Sequence, residues 1–123
     1  MNKTSENYNL EERTLKFGEE MIIFVNKLPA NRVNNELIGQ LIRSATSIGA
    51  NYCEANGASS KKDFRNKICI CKKEAKETKY WIQLMSVANP GQKDQCRKLW
   101  KEAQELTLIF SKIVLTLDER NKK

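Results

Sequence analysis

Seven cations of one predicted helix group toward one face with few acids between them: Lys61, Lys62, Arg65, Lys72, Lys73, Lys76 and Lys79. At helical steps Lys61, Arg65, Lys72, Lys76 and Lys79 lie within about 60° of one another, and Lys62 and Lys73 widen that face. Asp63, Glu74 and Glu77 fall elsewhere, near Trp81. A stripe of one sign repels itself unless something anionic neutralises it, so the pattern suits contact with nucleic-acid phosphates. It suits an acidic protein or membrane surface as well, and a merely solvated lysine face looks the same. Membrane binding fits least, because the opposite side of the helix is needed for a core. Tyr80, Trp81 and Trp100 are able to stack on bases if they are exposed there, or to pack in a core or an interface.

A second stripe has another chemistry. Gln40, Ser44, Ser47 and Asn51 line one face of the preceding helix, flanked by Arg43 and Glu54. Serine and asparagine compete with the helix backbone, so a face meant only for water would carry Lys and Glu instead. Short polar groups allow close helix approach, either to a neighbour in the same chain or to another subunit. Arg43 and Glu54 stand about three turns apart and do not pair with each other, but each is able to meet an opposite charge on the basic helix, where Glu74 and Glu77 flank the apolar seam.

Catalysis finds little to work with. Histidine is absent, which removes Ser-His and Cys-His nucleophile pairs and Glu-x-x-His metal ligands. Glu54, Glu74 and Glu77 are the carboxylates at hand, and no feature singles one out as a proton carrier. Cys69 and Cys71 diverge on a helix and cannot share a metal, while Cys71 and Cys96 sit in apolar seams, where a thiol behaves as a small hydrophobe. The five glycines are scattered, with no phosphate loop. No enzyme activity, metal or cofactor is expected.

The elements that position these groups follow from periodicity. Apolar or small residues recur at steps of three and four in four stretches: Leu10 to Leu28, Leu37 to Tyr52, Phe64 to Met85 and Cys96 to Leu117. Four such stripes enclose one core, which predicts an all-α, antiparallel up-down-up-down four-helix bundle. Asn9 with Glu12 reads as a capping pair for the first helix and Pro29 as its stop. An asparagine before residue 35 caps the second helix, and Asn56-Gly57 supplies a left-handed residue to end it. Ser60 caps the third helix, with Asp63 reaching back, and Asn89-Pro90-Gly91 breaks it from the fourth. Residues 1–8 read as a tail, 9–119 as the bundle, and 120–123 as a second tail, with fraying from Asp118.

The net charge of +7 is lopsided. Residues 1–60 carry six basic and seven acidic side chains, and residues 61–123 carry sixteen and eight. No signal-peptide pattern opens the chain and no apolar run approaches the ~18 residues of a membrane span, so the expected place is the cytoplasm. Ile22, Leu84, Leu108 and Leu115 lie beyond the seams. A bundle buries one stripe per helix, so this surplus predicts a homo-oligomer.

The run from Gln40 to Ala55, continued through Ser60 to Phe64 and Lys73 to Trp81, resembles the small four-helix-bundle proteins encoded by intervening sequences in bacterial 23S ribosomal RNA genes. The resemblance implies a left-handed bundle assembled as a ring-shaped homopentamer. It also implies similarity to the accessory variability protein of diversity-generating retroelements, a basic ring that binds nucleic acid and a reverse transcriptase. No catalytic residues come with it. Arg43, Ser44, Ser47, Asn51 and Glu54 match its motif without a defined biochemical role. The expectation is therefore a non-enzymatic homo-oligomer that binds structured RNA or DNA through helix three; the alternative is a structural or protein-interaction scaffold.

Overall fold

The computed structural model describes residues 9–122. Within them four helices, α1 (Leu10–Asn26), α2 (Arg32–Asn56), α3 (Lys61–Ala88) and α4 (Lys93–Asn121), form the expected bundle, with a 3₁₀ turn at Pro90–Gln92. Each helix runs antiparallel to the next. The start of α2 meets the end of α3 through Asn34 and Asn89, and the start of α3 meets the end of α4 through Arg65 and Asp118. The expected tail over 1–8 lies outside the described residues, as does Lys123.

Local signals start the two central helices. Asn31 caps α2 by accepting from Asn34 N at 2.8 Å, and Ser60 caps α3 by accepting from Asp63 N at 3.0 Å. Asn9 stands at the start of α1, but its side chain makes no capping bond. The end of α2 also differs from expectation. Gly57 has φ −100°, so no left-handed residue terminates the helix. Instead Gly57 N bonds to Glu54 O at 3.1 Å and Ala58 N to Ala55 O at 3.0 Å, a tightened last turn that satisfies two otherwise orphaned carbonyls. At the far end α4 continues to Asn121 rather than fraying from Asp118. The Asp118 carboxylate is gripped by both the Nε and Nη2 of Arg65, at 2.6 and 3.0 Å, which ties the last turns down.

All four stripes turn inward. Phe17, Met21, Leu41, Ile48, Ile68, Ala75, Ile82, Leu106 and Phe110 are among the fully enclosed side chains. Burying each large one contributes roughly 1.5–3 kcal/mol relative to exposure. At the crossing of α1 and α2 the backbones come close: a Cβ on Gly49 would lie 3.0 Å from Thr14 Oγ1 and 3.2 Å from Thr14 Cβ. Thr14 donates to the Leu10 carbonyl at 2.7 Å, and a side chain at Gly49 would oblige it to give way by a few tenths of an ångström. α1 has only 17 residues and leans mainly on α2, touching α4 sparsely.

One end of the bundle carries a polar lock. The amides of Asn34 and Asn89 exchange two hydrogen bonds, at 3.0 and 2.9 Å, and reach back to the carbonyls of Pro29 and Met85. Both side chains are buried. The pair joins the α1–α2 connection to the α3–α4 connection, and a one-turn slip of either helix would strand amides away from water.

Candidate nucleic-acid interface

The cations of α3 divide into two sets. Arg65 and Lys79 lie on the shoulder toward α4, where both find partners. Arg65 pairs with Asp118, and the pair shifts both groups toward their charged forms. The Lys79 ammonium donates to Gln104 and sits 5.1 Å from the centre of the Trp100 ring, a cation–π contact. Lys72 stands one heptad from each and is half-buried. Lys61, Lys62, Lys73 and Lys76 are exposed, and none of them meets an acidic group at ion-pair distance among the described residues. Lys67, absent from the sequence-based set, bridges to Glu54 of α2 at 2.7 Å.

Toward α2 the same helix presents acids and hydroxyls, and the structure brings most of the motif residues together there. Arg43 of α2 reaches across to α3 and donates to Glu77 Oε2, which also accepts from Trp81 Nε1 at 3.1 Å. The Trp81 and Arg43 hydrogen bonds hold the Glu77 carboxyl below its usual range, and Glu74 and Glu77 in turn raise Arg43. Glu74 is only 6% exposed. Its Oε1 has an ionic contact with Arg43 at 3.3 Å but no directed hydrogen bond. Ser44 is buried and meets Thr78 of α3, whose hydroxyl lies 2.9 Å from Ser44 Oγ and 2.7 Å from the Glu74 carbonyl. That much of the small polar stripe serves packing within the chain. Ser47 and Asn51 turn back onto the carbonyls of Arg43 and Ser47, at 2.6 and 2.8 Å, and Gln40 stays exposed.

The thiols differ by depth. Burial pushes Cys71 up to about 12 and raises Cys96, whereas Cys53 is exposed. Among the described residues no three Cys, Asp or Glu side chains group around a point where a metal would sit. No described helix is long and apolar enough to cross a membrane. Tyr80 is exposed beside the free lysines, while Trp81 and Trp100 are half-buried. The roles of Asn34, Asn89, Gln104 and Asp118 are not readable from sequence. Asparagine beside Pro-Gly reads as a turn, and the partner of each lies on another helix.

Two outer surfaces remain apolar. Leu15 and Ile22 of α1 are 62% and 45% exposed, and Leu108 and Leu115 of α4 are 54% and 62% exposed. Leu84, expected to be among this surplus, is half-buried.

The similarities of the chain fall on the same bundle. A family model described as 23S rRNA-intervening sequence protein matches residues 6–112. A crystal structure of a protein with unknown function from the S23 ribosomal protein family of Bacteroides thetaiotaomicron VPI-5482 is similar at 31% identity and a TM-score of 0.74. The match covers 85% of this chain and 96% of that one. No curated protein matches.

Proposed function

We propose that this chain, which belongs to the 23S rRNA-intervening sequence protein family, is a non-enzymatic, homo-oligomeric, cytoplasmic module that binds structured RNA or DNA through α3. The observation that carries the reading is the set of exposed lysines, Lys61, Lys62, Lys73 and Lys76, none of which has an acidic group at ion-pair distance among the described residues, on a helix whose other charges are largely paired. Keeping four like charges on one surface costs repulsion, and phosphates relieve it while releasing condensed counterions. Side-chain chemistry supports the non-enzymatic part: there is no histidine, and a buried thiol near 12 stays protonated at neutral pH. A pentameric ring is the size that the family resemblance implies. Its formal charge of about +35 makes low salt unfavourable for assembly, so apolar contacts must offset the repulsion.

The test is binding of labelled hairpin RNA and duplex DNA by fluorescence anisotropy. Weak, sequence-tolerant binding at ~50 mM salt is expected, and reversal of Lys62, Lys73 and Lys76 to Glu should remove it. No binding by the parent, or undiminished binding by the variant, would leave the scaffold reading in its place.

A further inference from the structure

The outward stripe of α3 changes character along its length. At 100° per residue Lys62, Lys73, Lys76, Tyr80 and Val87 fall within about 60° of one another, and all five are exposed. The stripe is cationic as far as Lys76 and then turns aromatic and apolar, with Tyr80 56% and Val87 75% exposed. Tyr80 stands one turn beyond Lys76 and two beyond Lys73, about 6 Å and about 10.5 Å of helix rise. A long helical side chain leans over the turn before its own, which carries the ring toward those lysines. Tyr80 also differs from both tryptophans. Trp100 is half-buried with the Lys79 ammonium 5.1 Å from its ring centre, and Trp81 is half-buried with its Nε1 donated to Glu77. Tyr80 meets Trp81 in a T-shaped contact, with centroids 5.0 Å apart and planes at 75°. Such a neighbour covers at most one face of the ring. Trp81 is in turn fastened through Glu77 to Arg43, so the paired inner side of α3 supports the exposed ring from behind.

We infer that Tyr80 stacks on an unpaired base while Lys73 and Lys76 take the phosphates beside it, so that α3 favours a single-stranded segment, an open strand or a loop, over a duplex. Lysines alone carry no such preference, because they answer to backbone phosphates, which strand and duplex both present. A ring needs an open base face. In a duplex each base face is covered by the next pair, whereas an unpaired base is free to splay onto an aromatic side chain. Every base offers such a face, so the contact is tolerant of sequence. Val87, one heptad further along the stripe, continues the apolar surface past the ring. The inference rests on the nucleic-acid part of the proposed function and names the form of nucleic acid that the site takes.

The experiment compares probes by fluorescence anisotropy at low salt, with helicity followed by circular dichroism. The probes are oligothymidylate, oligouridylate, an abasic deoxyribose-phosphate strand with the same number of phosphates, and a long DNA duplex. The parent should bind the base-bearing strands about tenfold more tightly than the abasic one, the worth of one stacked base. The tighter of the two base-bearing strands assigns the sugar. Tyr80→Ala should remove the preference for bases while changing duplex affinity less than about twofold. Tyr80→Phe keeps the ring and should keep the preference. A parent that binds none of the probes would overturn the nucleic-acid reading and this inference together. A parent that binds the abasic strand as tightly as both base-bearing strands would overturn the stacking alone, as would a Tyr80→Ala variant that retains the preference. Tyr80 is exposed, so both variants should keep parental helicity. Should Tyr80→Ala lose it, the parent's own ratio of base-bearing to abasic affinity decides.

Discussion

The two long sides of α3 use charge in opposite ways. Toward α2, Glu74, Glu77 and Lys67 meet Arg43 and Glu54, and Thr78 meets Ser44. Outward, none of Lys61, Lys62, Lys73 and Lys76 meets an acidic group at ion-pair distance among the described residues. Paired charges at a helix contact specify register, because a slip leaves a desolvated group alone. Unpaired charges of one sign specify nothing within the chain, and they are where an anionic partner gains most. A substitution on the inner side should therefore change stability with little effect on binding, and one on the outer side should do the reverse.

The largest break should come from Arg43→Ala. It leaves the nearly buried Glu74 without its cation, and a cost of about 2–3 kcal/mol is expected, below the full range for buried pairs because Arg43 is half exposed. Urea denaturation at fixed protein concentration measures it. Adding Glu74→Met should return most of the loss, and nucleic-acid affinity should change less than about twofold in either variant, well under 1.4 kcal/mol. A comparable effect, about 1–3 kcal/mol, is expected for Asn34→Ala, which strands the Asn89 amide in a buried site. Equal stability of this variant and the parent would show that the lock is not what joins the two connections.

Acid sharpens the contrast further. Glu77 has its folded pKa held below the ordinary 4.5, first by the Trp81 hydrogen bond and then by Arg43. The stability it contributes is therefore fully present above pH 4.5 and is lost as pH falls through the lower, folded value. Glu77→Gln should be less stable than the parent at neutral pH, and the gap should narrow below pH 4.5. A gap that widens on acidification would reverse the assigned sign. The smallest effects belong to glycines. Gly39→Ala meets nothing within 4 Å and should stabilise by about 0.5–1 kcal/mol. Gly49→Ala should forfeit that gain against Thr14, and equal melting shifts for the two would contradict the close α1–α2 approach.

What the sequence made legible was local. The seams from Leu10 to Leu117 are read from a repeat within one helix, and capping by Asn31 and Ser60 depends on groups three residues away. Where a result depended on distant residues, the reading fell short. Asp118 looked like a fraying end until Arg65, 53 positions earlier, was placed beside it. Asn34 and Asn89 looked like turn residues because their bond spans 55 positions. The basic face was legible as a pattern, but not its division, since Lys79 faces Trp100 and Gln104 on another helix. Gly57 shows the converse: a sequence that permits a left-handed residue does not require one when a tightened turn satisfies the same carbonyls.

The most direct measurement is the salt dependence of nucleic-acid affinity for the parent, the outer triple variant Lys62→Glu, Lys73→Glu, Lys76→Glu, and the inner variant Arg43→Ala. If α3 holds phosphates through its free lysines, the parent should show a log–log slope of about −3 to −4 on duplex DNA, for roughly four contacts. Arg43→Ala should reproduce that slope, and the triple variant should bind too weakly to measure. A parental slope near zero, or a triple variant that keeps the parent's slope, would contradict the account.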